Sequence, residues 1–372
     1  MAFQIYVSPP HPSGKELTYL TEAVNQNWIA PAGPHLSRFE TLVETYAGSA
    51  YYATALQSGT AALHLGLHLL GLSQGDTVLC QSLTFVASVN PLVYMGATPV
   101  FIDSEPETWN MCPDLLEQAI KEQLAKGKKP KAIIAVHVYG MPYQAAEIHS
   151  IAKKYDIPIL EDAAEALGSS YQGKPCGTLG DFGVFSFNGN KIITTGGGGV
   201  LITKAMKSKQ EALKLATQAK EATPYFEHKQ LGYNYRMSNL NAAVGCAQFE
   251  VLPQYIAKRR SIFNYYRTAL EGIKGISFLP EPTGFFSNRW LSVMKTNSTS
   301  QRERIRKKLA AAYIESRPVW KPMHLQPLYQ HQKAFTNGTS AECFEKGLCL
   351  PSGSQLSEQQ LDLIIKIIRE NA

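Results

Sequence analysis

The sequence predicts an α/β protein: a mainly parallel sheet held between helices, followed by a smaller C-terminal α+β region. Short apolar runs alternate with stretches of helical period through the first two thirds of the chain, the pattern of a sheet covered on both faces. Past about residue 240 the texture changes to one long helical stretch and a shorter mixed region. The residues able to do chemistry fall just beyond the ends of the apolar runs, where open α/β sheets bind their ligands.

Taken in order, the expected strands are the apolar runs at residues 77–80, 99–102, 132–138, 157–160, 184–187 and 200–203. Between them, residues 61–70, 113–123 and 145–155 repeat apolar side chains every three to four positions and are expected helices. Residues 240–270 continue as a helical stretch interrupted at Pro253, and a last helix is expected over 357–370. The expected division is a large domain, residues 1–245 with an N-terminal arm, and a small C-terminal domain, residues 246–372, joined by a helix.

Composition narrows the class. At 372 residues, 44% hydrophobic and 18% charged, the chain can bury more than one small core. No apolar run approaches the roughly 18 residues that span a membrane. The start, Met1-Ala2-Phe3-Gln4-Ile5-Tyr6-Val7, has no basic region followed by an apolar one, so no signal peptide is expected. Six scattered cysteines form no Cys-x-x-Cys pair; buried thiols in a reducing compartment, the cytoplasm, are expected, and no metal. The net charge is +6, with basic clusters at residues 126–131 and 302–308. Without aromatic interleaving or a binding motif these read as solvated faces, not as a nucleic-acid surface. A mild positive field also favours phosphorylated small molecules.

Three segments carry the chemistry. Gln57-Ser58-Gly59-Thr60-Ala61-Ala62-Leu63 opens a helix. Ser58 or Thr60 can cap it, Gly59 lets the backbone approach a ligand, and the free amides with the helix dipole favour a phosphate. His64 and His68 on that helix lack the Glu and third ligand of a zinc site and read as structural or solvated. Glu161-Asp162-Ala163-Ala164-Glu165 directly follows the run at 157–160; Asp162 can hold a protonated ring nitrogen there, and the two alanines leave room for a flat ring. Lys191 emerges just past the hydrophobic strand 182–187, among small polar residues and glycines, with no acidic residue within five positions. Taken alone, such a lysine is usually a solvated loop residue; withdrawn from water, a lysine is a nucleophile that can form a Schiff base. A Schiff-base lysine, a pyridinium partner and an anion site together are what pyridoxal phosphate (PLP) requires.

In this order, Ser58-Gly59-Thr60, Thr84-Phe85, Glu161-Asp162-Ala163-Ala164-Glu165-Ala166-Leu167-Gly168, Ser186…Lys191 and Gly232-Tyr233-Asn234-Tyr235-Arg236-Met237 resemble the nucleotide-sugar aminotransferases of the DegT/DnrJ/EryC1/StrS group. The resemblance runs from Leu17 to Leu361. It includes Asn27-Trp28-Ile29-Ala30-Pro31-Ala32-Gly33-Pro34 and Arg317-Pro318-Val319-Trp320-Lys321-Pro322-Met323-His324. It implies the fold-type I aminotransferase architecture, working as a homodimer with active sites at the subunit interface.

Carried onto this chain, the resemblance gives each residue a role. Lys191 would hold PLP covalently, Asp162 would pair with the pyridine nitrogen, and Ser58, Gly59, Thr60 and Ser186 would hold the phosphate. Phe85 would stack on the ring, with plain core as the alternative. Glu165 would stand near the ring hydroxyl, at a position more often Gln or His. Asn234 would reach toward the partner's cofactor phosphate, and Arg236 would support that interface, read an anion or form a surface ion pair. The run Gly196-Gly197-Gly198-Gly199 replaces a more usual Gly-Glu-Gly-Gly. Trp28, Arg317, Trp320, Lys321 and His324 are the candidate substrate contacts, along with Arg236.

The implied reaction moves an amine from glutamate to a nucleotide-linked keto-sugar, with ping-pong kinetics and Lys191 as the proton-transfer base. The favoured substrate is a UDP-linked 2-acetamido-4-keto-2,4,6-trideoxyhexose, for bacterial surface glycan; a GDP- or dTDP-linked 3- or 4-keto-6-deoxyhexose is the alternative. A sugar 3-dehydratase of the same family is disfavoured by Lys191, since such enzymes carry histidine there. A dinucleotide oxidoreductase is disfavoured because the glycine run precedes a strand rather than opening a helix. A PLP-binding sensor would leave the full chemical set without use.

Overall fold

The computed structural model describes residues 3–372. Its main sheet is formed by β1 (Tyr52–Leu56), β2 (Thr77–Gln81), β3 (Thr98–Ile102), β4 (Ala132–Val136), β5 (Ile159–Asp162) and later strands. After the short β6 (Ser170–Tyr171) and β7 (Lys174–Pro175) come β8 (Phe182–Ser186) and β9 (Gly199–Thr203). The C-terminal third supplies β10 (Ile276–Phe278), β11 (Phe285–Phe286), β12 (Ser292–Thr296), β13 (Arg317–Pro318), β14 (Ala334–Phe335) and β15 (Gly347–Leu350).

The eight-stranded sheet runs β1-β9-β8-β5-β4-β2-β3-β14. From β8 through β14 every pairing is parallel, whereas β9 lies antiparallel between β8 and β1. The strands are apolar on both faces because helices cover both. Successive residues of β9 show the sorting: Leu201 packs into one core with Leu63, Leu160 and Phe101. Its neighbours Val200 and Ile202 pack into the other with Phe39, Phe185 and Cys246, the two-residue alternation of a strand.

Every expected strand and helix of the first two thirds is present, with ends shifted by a residue or two. β1 is an addition. Tyr52-Ala53-Thr54-Ala55-Leu56 carries two alanines, which strands disfavour, and gives a weak local strand signal; pairing along its whole length with β9 makes it one. The helical stretch at 240–270 is two helices, Asn239–Phe249 and Leu252–Ala269. Pro253 sits in the first turn of the second, where a missing N–H costs nothing, and Ser238 caps the first by accepting the Asn241 amide at 3.1 Å.

A second, antiparallel sheet runs β10-β12-β15-β13. Its core joins Met294, Leu348 and Leu350 to Ile262 and Tyr266, to Ile305 and Leu309, and to Ile364 and Ile368 of the closing helix Glu358–Asn371. Two segments tie this region to the main sheet. β14 pairs with β3 at the sheet edge, and the N-terminal arm lays Ile5 into the second core while the Val7 amide donates to Glu315 Oε2 at 2.9 Å. The arm thereby brings Tyr6, Val7, Ser8, Pro9 and Pro10 to the wall of the main cavity.

Candidate active site

The C-terminal ends of β1, β2, β5 and β8 and the N-terminal end of β9 face one cavity of about 750 Å³, lined by Ser58, Gly59, Thr60, Asp162, Ser186 and Lys191 among others. Strand ends deliver these groups: Asp162 and Ser186 are the last residues of β5 and β8, and Ser58 and Lys191 lie in the segments that follow β1 and β8.

At one end is a cup. The helix Gly59–Leu69 begins there, with Ser58 Oγ accepting the Ala61 N–H at 3.0 Å. A β-carbon on Gly59 would lie 3.1 Å from Ser186 Cβ, so glycine allows the helix start and the end of β8 to approach. Gly199 is tighter: a β-carbon would fall 2.3 Å from the Ser58 carbonyl carbon. The last glycine of the run 196–199 is therefore the backing of the cup. The free amides of the helix start suit an anion.

At the other end is Asp162, 4% exposed. Ser88 donates its hydroxyl to Oδ2 at 2.7 Å, Thr84 Oγ1 lies 2.6 Å from Ser88 Oγ, and the Ala164 amide donates to Oδ1 at 3.1 Å. Behind it, the buried Glu161 lies 2.7 Å from His137 Nε2 and accepts amides of Gly177, Leu179 and Gly180. Burial pushes the Glu161 carboxyl up, but these hydrogen bonds, His137 foremost, hold it below its ordinary value.

Lys191 stands between the two ends, its side chain 11% exposed. Nζ lies 3.5 Å from Glu165 Oε1 and 4.4 Å from the centre of the Trp290 ring. Glu165 Oε2 accepts the Tyr139 N–H at 2.8 Å. Burial raises the Glu165 carboxyl to about 7; Lys191 opposes the rise and Asp162 adds to it. The lysine with no acidic neighbour in sequence has one in space.

Phe85 is 53% exposed at the cavity and 5.7 Å from Trp320, so the plain-core alternative does not describe it. Arg317 and Trp320 also line the cavity, Arg317 pairing with Glu315 at 2.7 Å through Nε. The remaining candidates are not among its lining residues. Arg236 is pinned by Glu40 and donates to the Ala55 carbonyl at 3.0 Å, a nearly buried ion pair behind β1 rather than a surface one. His324 Nδ1 lies 2.6 Å from Ser82 Oγ, and burial lowers its pKa. Lys321 accepts at its carbonyl from Gln326. Trp28 and Asn234 are exposed on the outside of the chain. His64 is structural, ringed by Tyr94, Tyr233 and Tyr235.

Sequence reasoning missed Ser88, Tyr139 and Trp290. Ser88 lies four residues after Thr84, a helical spacing that places two hydroxyls on one side. Tyr139 and Trp290 gave no local signal.

The residues fit PLP: an enclosed amine, a carboxylate held by a serine, an anion cup and room for an aromatic ring lie in one cavity. When bound, PLP supplies an electron sink for the charge left by removal of an α-proton. Fold and site together define a PLP-dependent enzyme. The chain belongs to the DegT/DnrJ/EryC1/StrS aminotransferase family, whose profile matches residues 11–369. EpsN of Bacillus subtilis (strain 168) is 47% identical over 371 residues, covering 98% of this chain and 95% of the relative. The GDP-perosamine synthase of Escherichia coli O157:H7 is 38% identical over 366 residues, with 98% of each chain covered. The PLP form of the sugar aminotransferase Spr1654 from Streptococcus pneumoniae superposes with a TM-score of 0.90 at 29% identity, covering 100% of this chain and 98% of that one.

Proposed function

We propose that this enzyme transfers the amine of glutamate to carbon 4 of a UDP-linked 2-acetamido-4-keto-2,4,6-trideoxyhexose, for bacterial surface glycan. The observation that carries the transaminase chemistry is Lys191 Nζ enclosed in one cavity with Asp162 and the Ser58–Ser186 cup. Lys191 holds the cofactor and, once released, is the base whose Nζ takes the α-proton of the donor. Asp162, steadied by Ser88, keeps the ring nitrogen protonated. Ser58, Gly59, Thr60 and Ser186 bind the phosphate, Phe85 stacks on the ring, and Glu165 faces the ring hydroxyl. Arg317 and Trp320 meet the substrate from the cavity wall.

Trp28, Asn234, Arg236, Lys321 and His324 belong to this reading only with a second subunit. Asn234 crosses to the partner's phosphate from an exposed segment, Arg236 fixes the root of that segment through Glu40, and Trp28, Lys321 and His324 contact the substrate in the shared site. The six free thiols, five of them buried, favour the cytoplasm.

A second reading has its own support. The similarity to a GDP-perosamine synthase at 38% identity favours a GDP-linked 4-keto-6-deoxyhexose. Purified enzyme given glutamate and either the UDP-linked or the GDP-linked 4-keto sugar separates the two, with the product read by NMR. Amination of the GDP sugar alone would replace the favoured substrate and leave the chemistry standing. Retention of turnover and of the visible cofactor band by Lys191→Ala would remove the chemistry itself.

A further inference from the structure

The free amine of Lys191 has to be kept somewhere whenever it is not bonded to the cofactor. In the structure it lies over the face of Trp290, at 4.4 Å from the ring centre. An indole face attracts an ammonium through its quadrupole, more strongly than any other side-chain ring and most where water is excluded. Trp290 is 3% exposed.

The indole is fixed from several sides. Nε1 donates to the Asn190 carbonyl at 2.7 Å, the peptide bond before Lys191 itself. The backbone N–H donates to Asn288 Oδ1 at 2.9 Å, and the backbone carbonyl accepts from Arg259 Nη1 at 2.6 Å. Arg259 is fully buried without a carboxylate partner among the described residues, and its Nη2 donates to Ser8 Oγ at 3.0 Å; Ser8 in turn donates to the same Asn190 carbonyl at 2.7 Å. Trp290 also stacks on Tyr139, with ring centres 6.2 Å apart. Tyr139 has φ of 53°, a left-handed backbone uncommon for a bulky residue. That conformation lets one residue stack on Trp290 and donate its N–H to Glu165. The ring under Lys191 and the carboxylate beside it are thus set by the same residue.

We propose that Trp290 is a positioning residue whose indole face is the resting place of the Lys191 ammonium, holding Nζ beside Glu165 between its covalent engagements. This rests on Lys191 being the cofactor-bonding lysine. An ammonium held on the ring is not a nucleophile, so weakening the hold exposes the amine to acylation.

The test uses the full-length, cofactor-free protein, with acetic anhydride as the probe and modification of Lys191 followed by peptide mass spectrometry. Mono-, di- and trifluorotryptophan placed at position 290 keep the shape and the N–H while draining the ring quadrupole. The acylation rate of Lys191 is expected to rise stepwise with fluorine number, and to reach about tenfold in Trp290→Leu. Trp290→Phe, which keeps a ring but loses the bond to Asn190, is expected to stay nearer the wild type than Trp290→Leu. A flat fluorine series overturns the proposal even if Trp290→Leu is fast, since the leucine would then act only by opening the site. Retention of the visible cofactor band by Lys191→Ala would overturn the underlying reading instead, and that band is measured independently of acylation.

Discussion

Glu165 is pulled in two directions: burial and Asp162 favour its neutral acid, Lys191 its anion. With its pKa raised to about 7 from 4.5, the folded protein binds a proton more tightly than the unfolded chain does. Its carboxyl therefore costs nothing at pH 4, and the cost grows as pH rises through 4.5 and is complete above 7, to a ceiling of about 3 kcal/mol. Cofactor-free Glu165→Gln should accordingly gain stability relative to wild type between pH 5 and pH 8, read as the difference in thermal midpoints. An unchanging difference would place the proton elsewhere. Ser88 offers a second expectation at this scale. Its bond to the Asp162 carboxylate is of a kind worth about 1.5–3 kcal/mol, so Ser88→Ala should lower kcat roughly tenfold with little change in the KM for glutamate. An equal rise in KM would mean the serine serves binding instead.

Elements bring these residues together, and the glycine run shows how sharply. A β-carbon on Gly199 would meet Ser58 and Gly59 backbone at 2.3 to 2.5 Å, with no flexible side chain to move aside. Gly199→Ala should push the helix start off β9, costing about 1–3 kcal/mol of stability and at least about tenfold in PLP affinity by fluorescence titration. Gly197, whose β-carbon would come no nearer than 4.0 Å to the Gln57 carbonyl oxygen, should accept alanine with a stability change within about 0.5 kcal/mol. The usual Gly-Glu-Gly-Gly form has its carboxylate at position 197, where a side chain would meet open space, and nothing in the structure explains its absence. Most elements were legible because a buried strand is a short apolar run and an amphipathic helix repeats at 3.6. β1 and β14 were not, because an alanine-rich segment and a two-residue strand acquire their conformation from the neighbours they pair with.

The molecule as a whole leaves several large apolar side chains uncovered on one segment. Tyr225, Phe226 and Leu231 are 65%, 80% and 77% exposed, on the segment that carries Asn234, and Tyr94, 62% exposed, packs on His64, which also meets Tyr233 of that segment. Exposed apolar side chains grouped on one segment suit an interaction site, and a second copy is the partner that would use Asn234. Phe226→Asp with Leu231→Asp should convert a dimer to a monomer in analytical ultracentrifugation and weaken PLP binding, whereas a monomeric wild type would take Asn234 out of the site.

What the sequence alone determined is where the proposed chemical residues stand: Asp162 and Lys191 each follow an apolar run that local patterning marks as a strand, and Ser58–Thr60 reads as a helix start from its own capping residues. The tertiary structure decided what surrounds that chemistry. Glu165 meets Lys191 from 26 residues away, Ser88 meets Asp162 from 74, and Trp290 reaches Asn190 across 100. Such pairings depend on the order of strands in the sheet and on the docking of the second sheet against it, and neither leaves a periodic trace in the chain.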